Sequence, residues 1–421
     1  MTDRNGGYLP GADLSHPKRA TGGLAISIGR SIAVVAVLFA LQIADGIDQT
    51  ALALVAPFVR ADLGIGTAAL GAALSAAFFG TAIGSIVFGI AGDRIGRRFA
   101  LCCAATGFSL GSLATLLVRT GPELIAIRFI TGIALGGLFP VIASIVIDLA
   151  RTGRRVTTVT LVSVGTAVGT SLCGPLVAAL QPRFGWQSIF VVGGALPAIL
   201  IVIAVALIPS IPLPVGTARS SRPHNPLNSV ATLFADGRWR PTLLIWVAFI
   251  GVSMPMFFSL SWLPSLAHAA GLSLRTAALG PSMFAAAGIL VALVVARLLD
   301  RVGLRALVMT SALGVPAFIV LGQAFGSAAT FLPACAVTGG LCVSCVNLMG
   351  AVAATHYPAE LRARGVGWAL AVMRFGGAVA PGIGGLLIAH GVGPGPLFAG
   401  VSIGLVITAV AVGRLRDRHL T

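Results

Sequence analysis

The sequence predicts an all-α polytopic membrane protein: twelve transmembrane helices arranged as two six-helix bundles. Three observations predict it. The chain of 421 residues is 57% hydrophobic and only 10% charged, with a mean hydropathy of +1.00, more apolar surface than a water-soluble core of this size absorbs. A spanning helix needs roughly 20 apolar residues, so this length holds about a dozen spans with short loops. Segments such as 31–59, 189–208 and 289–299 are apolar on nearly every side, whereas the strands of a membrane barrel alternate apolar and polar residues.

Apolar runs read against charged or Gly/Pro breaks place the spans in order. In the first half they cover 31–59, 67–90, 99–118, 123–147, 157–180 and 188–208. The breaks between them are Arg60 to Gly66, Gly92 to Arg98, Arg119 to Pro122, Arg151 to Arg155, and Pro182 to Gly185. In the second half the spans cover 241–267, 276–298, 305–323, 329–353, 365–389 and 395–413, broken near Gly271, Asp300 to Arg305, Gly326, Pro358 to Arg364, and Gly391. The hydrophilic stretch 209–240 is the longest between spans and reads as a linker. The expected organisation is therefore a disordered tail (1–30), an N-terminal bundle (31–208), a linker (209–240), a C-terminal bundle (241–413) and a second tail (414–421). The polar N-terminal stretch has no apolar core of its own and does not read as a cleaved signal.

Orientation follows from the basic residues. Those of the N-tail (Arg4, Lys18, Arg19, Arg30), of the breaks after spans 2, 4, 8 and 10, of the linker and of the C-tail all fall on one side. The other side carries Arg60, Arg119, Arg183 and Arg275 alone. The positive-inside rule makes the richer side cytoplasmic, with both termini inside an inner (plasma) membrane. The net charge of +16 then reflects topology and anionic lipid, and no basic-aromatic patch suggests a nucleic-acid partner. The six cysteines, Cys102, Cys103, Cys173, Cys335, Cys342 and Cys345, all fall inside spans, so the C-x-x-C spacing of Cys342 and Cys345 reads as packing rather than redox chemistry. There is no phosphate-binding loop, metal-ligand cluster or nucleophile with an oriented base, so neither an enzyme nor a cofactor is expected.

The halves repeat. After span 2 comes Gly92-Asp93-Arg94-Ile95-Gly96-Arg97-Arg98, and six spans later comes Asp300-Arg301-Val302-Gly303-Leu304-Arg305. A six-span repeat is an architecture of carriers that rock two bundles about a central site. The glycines suit tight turns and close helix approach, Asp93 suits a cap or an ion pair, and the arginines suit a headgroup surface. Gly80/Gly84, Gly132/Gly136 and Gly165/Gly169 have the small-xxx-small spacing of closely packed membrane helices. Phe257, Phe258 and Trp262 read as packing aromatics, with stacking on an aromatic ligand as the sharper alternative. His268 and His356 lie near span ends and read as interfacial.

Two acids lie within span 1, in Ala44-Asp45-Gly46-Ile47-Asp48. A central Asp costs about 2.5–3.5 kcal/mol on insertion scales, so such residues face a cavity and serve a function. Their spacing puts Asp45 and Asp48 on one helix face, with Gln42 a turn before Asp45. Two close carboxylates in a low-dielectric site repel each other, so at least one is expected to bind a proton reversibly. Permanent salt bridges to membrane arginines are the structural alternative. Away from the span ends, only Arg128 and Arg374 lie inside spans, in spans 4 and 11. A guanidinium keeps its charge and needs an anion, and a planar carboxylate accepts its fork bidentately. Arg128 and Arg374 are thus candidate substrate ligands approaching one cavity from opposite bundles, and Arg128 neutralising an internal acid is compatible with that.

The repeated loop resembles the signature of the major facilitator superfamily over about Val34 to Val412. The resemblance implies the major facilitator fold and a cytoplasmic gate formed by Gly92, Asp93, Arg94, Gly96, Arg97 and Arg98, with Asp300 and Arg301 in the second copy. The D-G-x-D of span 1 followed by Ala56-Pro57 looks like the aromatic acid:proton symporters. So do the run Arg128 to Gly137, Gly185-Trp186 with Gly193 to Pro197, and Arg362 to Trp368 with Arg374-Phe375-Gly376. The chain departs from that pattern at Val141, where Asn is frequent, at Asp148, where Glu is usual, and at Ala44 and Ile47, where aromatics are common. The similarity implies uptake of benzoate, hydroxybenzoates, protocatechuate or phenylpropionates with protons by alternating access. It assigns proton coupling to Asp45 and Asp48 and substrate binding to Arg128 and Arg374, in a monomer among membrane lipids. A non-aromatic carboxylate carrier and a drug/proton antiporter are the alternatives.

Overall fold

The computed structural model describes residues 28–149, 155–207 and 226–415. Six helices form the first half: α1 (Ile28–Leu63), α2 (Thr67–Ile95), α3 (Arg97–Ala114), α4 (Gly121–Leu149), α5 (Arg155–Phe184) and α6 (Ser188–Leu207). A short helix, α7 (Pro226–Phe234), precedes the second six: α8 (Trp239–Ala269), α9 (Leu274–Val302), α10 (Arg305–Gln323), α11 (Ala328–His356), α12 (Ala359–Ala389) and α13 (Pro394–Gly413). Twelve of these are long and apolar enough to cross a membrane, and they coincide with the twelve expected spans. A helix satisfies its own backbone groups where no water is available, which is why apolar runs of this length take no other form. Ser273 and Ser327 cap α9 and α11 by accepting from the amides of Thr276 (3.2 Å) and Thr330 (3.3 Å).

The linker expected over 209–240 contains a helix that its polar composition did not announce. α7 is anchored to the second half: Thr242 donates to the Leu233 carbonyl (2.9 Å), and Phe234 meets Trp246 edge-on at 5.3 Å. Residues 1–27, 150–154, 208–225 and 416–421, and with them most of both expected tails, lie outside the described residues.

The six-helix repeat is visible in the packing. In the first half α2 packs on α4, α1 on α5, and α3 on α6; the second half repeats these pairs as α9 on α11, α8 on α12, and α10 on α13. Gly96, between α2 and α3, has φ +95°, and Gly303, between α9 and α10, has φ +66°. Both copies of the repeated loop therefore turn on a glycine in the conformation that side chains disfavour. Gly92 makes no turn: it lies inside α2, and the nearest atom to a Cβ there is Val141 Cγ2 at 3.8 Å, an ordinary contact.

The small-residue pairs hold the first bundle. A Cβ on Gly84 would collide with the Ile133 carbonyl, and one on Gly132 with that of Ala77, so α2 and α4 touch backbone to backbone. Gly46 of α1 and Gly165 and Gly169 of α5 do the same for that pair.

The halves meet through α2 with α12, α5 with α9, and α1 with α8, contacts that respect the repeat. At the face opposite the start of α1, one apolar core joins both halves, from Val55 and Leu70 to Phe258, Trp262 and Ala278. There Gly71 lies against the Pro381 carbonyl, 2.8 Å from a would-be Cβ, and Trp262 donates to that carbonyl (3.1 Å). Toward the face where α1 begins, each half keeps a core of its own, around Leu41, Phe108 and Ile142 in one and Phe249, Met349 and Tyr357 in the other. The bundles are sealed together at one end and separately packed at the other.

Candidate functional site

The charged centre lies midway along α1. Because Gly46, Gly165 and Gly169 bring α5 onto α1, Thr166 reaches Asp45, donating to Oδ2 at 3.4 Å, and itself accepts from Gln42 Nε2 at 3.1 Å. Gln49, one turn beyond Asp45, donates Nε2 to the same Oδ2 at 2.9 Å. Asp45 is 6% exposed and held by neutral donors alone.

Asp48 is 1% exposed and differently held. Arg128 of α4 places Nη2 2.6 Å from Oδ2 and Nη1 3.3 Å from Oδ1, and Nη2 also donates to the Asp48 carbonyl at 3.4 Å. Ser112 of α3 donates to Oδ1 at 3.0 Å. The guanidinium lies 5.7 Å from the centre of the Phe190 ring of α6. Gly193, also on α6, leaves room for this cluster: a Cβ there would stand 2.8 Å from Ser112 Oγ. Four helices thus converge on one ion pair. Removing either partner would leave a buried charge uncompensated, which costs about 3–5 kcal/mol. The two acids, alike in the sequence, are unlike in the fold.

Arg374 enters from α12 in the other half. Its Nη1 is buried without a partner among the described residues, and its charge acts on Asp45 across a distance longer than an ion pair. The second half therefore presents an unspent guanidinium to an acid that no cation contacts directly. Arg128, with both Nη atoms on Asp48 and only Nε unpartnered, is committed to the first half. Beside this centre Phe78 of α2 meets Phe257 of α8 edge-on at 4.6 Å, and Phe79 faces Phe375 of α12 at 6.4 Å. A side chain on Gly377 would displace the Phe257 ring. A narrow cleft lined by Gln49, Leu52, Phe78, Thr81, Arg128 and Leu135 lies between α1, α2 and α4, within the first half. Phe258 and Trp262 are buried in the shared core, where Trp262 also donates to the Pro381 carbonyl.

Of the loop residues, Arg97 donates to the Ser144 carbonyl (3.1 Å) and Arg98 to that of Val205 (2.7 Å), carbonyls near the ends of α4 and α6. Arg94 and Arg301 are exposed. Asp93 lies in α2 and Asp300 in α9, and their side chains are outside what is described. The six cysteines are unpaired, Cys342 and Cys345 are buried, and Cys345 Sγ sits 3.4 Å from Ser311 Oγ. Among the described residues no cluster of His, Cys, Asp and Glu could hold a metal.

Sequence reasoning missed Gln49, Thr166, Ser112 and Phe190, and met Gly193 only as part of a family motif, with no place in the site. Gln49 carried a readable signal, a polar residue four positions after Asp45 inside a span. The others come from α3, α5 and α6 and join the site only through helix packing.

A family model described as Major Facilitator Superfamily matches residues 38–347 and 266–420. The gallate transporter of Pseudomonas putida is 31% identical over 413 residues, covering 92% of this chain and 91% of that protein. The 4-hydroxybenzoate transporter PcaK of Pseudomonas aeruginosa is 31% identical over 394 residues, covering 85% and 86%. Among solved structures, the crystal structure of the nucleoside transporter NupG superimposes with a TM-score of 0.75 at 18% identity, covering 92% of this chain and all of the other. That likeness bears on the fold alone.

Proposed function

The chain belongs to the major facilitator superfamily, among its aromatic-acid transporters, and we propose that it imports an aromatic carboxylate by proton symport. The observation that carries this reading is the division of charge at the centre. Asp48 and Arg128 neutralise one another within the first half, while Asp45 and Arg374 face each other from opposite halves without forming an ion pair. Such a pair offers a proton acceptor and a carboxylate ligand that respond to each other's occupancy. Protonation of Asp45 removes the negative charge acting on Arg374, leaving the guanidinium fork to a planar carboxylate. Phe78, which lines the cleft, and Phe257, edge-on to it, suit the apolar ring of such an acid.

Taking the Arg-rich face as cytoplasmic in a bacterial inner membrane, the bundles are closed to the outside and separate inside. This is the arrangement from which substrate leaves to the cytoplasm. The opposite state requires the outer core around Gly71, Trp262 and Pro381 to part and the Arg97 loop to meet the second half. A monomer holds all these parts.

Uptake of labelled 4-hydroxybenzoate, protocatechuate, gallate and benzoate into proteoliposomes with an inward proton gradient tests the proposal. Accumulation that an uncoupler collapses supports it. Folded protein that accumulates none of the panel under a gradient overturns it.

A further inference from the structure

We propose that Gln49 links the charge on Asp45 to carboxylate binding: its side-chain amide turns over when Asp45 gains a proton and shows its NH2 to the cleft in place of its carbonyl. This rests on the reading of the protein as an aromatic carboxylate and proton symporter.

The direction of the hydrogen bonds carries the inference. An ionised carboxylate only accepts, so both groups touching Asp45 Oδ2 must donate, Gln49 Nε2 at 2.9 Å and Thr166 Oγ1 at 3.4 Å. Gln42 Nε2 donates to Thr166 Oγ1 at 3.1 Å, so the whole chain of donors runs toward Asp45. The Gln49 amide cannot point both ends at the acid. With Nε2 committed, Oε1 is turned away, and Gln49 is a half-buried wall residue of the cleft that also holds Arg128, Phe78 and Thr81. The cleft measures only about 10 Å³ in this state, and an amide oxygen on its wall would repel a carboxylate brought there when it widens.

Protonation adds a requirement, since a protonated carboxyl has one O–H to donate besides an oxygen that still accepts. A proton from the aqueous medium settles on a carboxylate oxygen of Asp45, which becomes a donor and needs an acceptor; no other bond changes. The terminal torsion of glutamine is soft, and half a turn brings Oε1 to the acid and two N–H donors to the cleft. The Thr166 hydroxyl, 3.4 Å from Oδ2, and Gln42 Oε1, buried without a partner, are the other acceptors within the chain, but neither lines the cleft and their turning would not reach a ligand.

The charged surroundings leave Asp45 as the group that changes. On α1, Asp48 is paired with Arg128 of α4, and on α12 Arg374 carries a guanidinium, which keeps its proton. The face of α5 brings Thr166, and Cys173, whose thiol donates to the Ile47 carbonyl. The helix α6 contains no charged residue, and those of α2 and α8 (Asp93, Arg94, Arg240 and His268) lie at the helix ends.

Two measurements on the full chain in lipid nanodiscs test this. In ligand-free infrared difference spectra across an acid–base step, the wild type should show a side-chain amide carbonyl change that tracks the carboxylic-acid band of Asp45. Gln49→Leu should lose the amide change and keep the acid band, and Asp45→Asn should lose both. In binding of 4-hydroxybenzoate, wild-type affinity should rise from mildly alkaline to mildly acidic pH. Asp45→Asn should bind at alkaline pH as tightly as the wild type does at acidic pH. Adding Gln49→Leu to Asp45→Asn should weaken that binding roughly tenfold, as expected for a lost hydrogen bond to a charged group. Double-variant affinity equal to that of Asp45→Asn, or an amide change that persists in Gln49→Leu, overturns the inference. A wild type that binds no aromatic acid at any pH overturns the proposed function, and the infrared arm, which needs no ligand, then decides separately whether the amide turns.

Discussion

Asp48 and Arg128 form a two-pronged ion pair, 2.6 Å and 3.3 Å, in which neither side chain reaches water. Asp45, three residues earlier on the same helix, has no such partner. The chemistry of the site follows from that difference.

Asp48→Asn and Arg128→Met are each predicted to lower stability by about 3–5 kcal/mol, because each strands a buried charge. The double variant Asp48→Asn/Arg128→Met should recover much of the loss. Thermal unfolding in detergent measures this, and additive losses would show that the pair does not act as a unit.

Arg374→Ala should raise the KM for an aromatic acid severalfold or more with little loss of stability, since Nη1 has no partner to leave stranded. Arg374→Lys should rescue only partly, because an ammonium has no planar fork to offer a carboxylate. Initial uptake rates across a range of substrate concentrations give the comparison.

Gly71→Leu should prevent closure of the outer face, since even a Cβ there would stand 2.8 Å from the Pro381 carbonyl and 3.1 Å from Gly385 Cα. A cysteine introduced as Ser75→Cys, at a position buried in the wild type, should then react with an impermeant maleimide added outside. Equal labelling of that position with and without Gly71→Leu would contradict the closed outer face.

Much of the fold was legible because the bilayer imposes one rule on each span. Apolar length alone located all twelve helices, and the glycine spacing of Gly80/Gly84 with Gly132/Gly136 marked a helix contact that the structure contains. The repeated loop pointed to the six-helix repeat, since Gly96 and Gly303 must turn alike. The helix α7 was hidden because its stability comes from Thr242, Trp246 and α8 rather than from its own sequence. The candidate site was legible as charges out of place, Asp45, Asp48, Arg128 and Arg374. Their pairing was not, because which acid meets Arg128 depends on how α3, α4 and α6 cross α1, and Ser112, Phe190 and Gly193 carry no sign of that in the sequence.

In the proposed division of roles Asp45 carries the proton while Asp48 serves Arg128. Asp45→Asn in proteoliposomes tests it most directly, with gradient-driven accumulation of 4-hydroxybenzoate and gradient-free exchange of the same acid measured side by side. The variant should lose accumulation and keep exchange. Accumulation at the wild-type level by Asp45→Asn would contradict it.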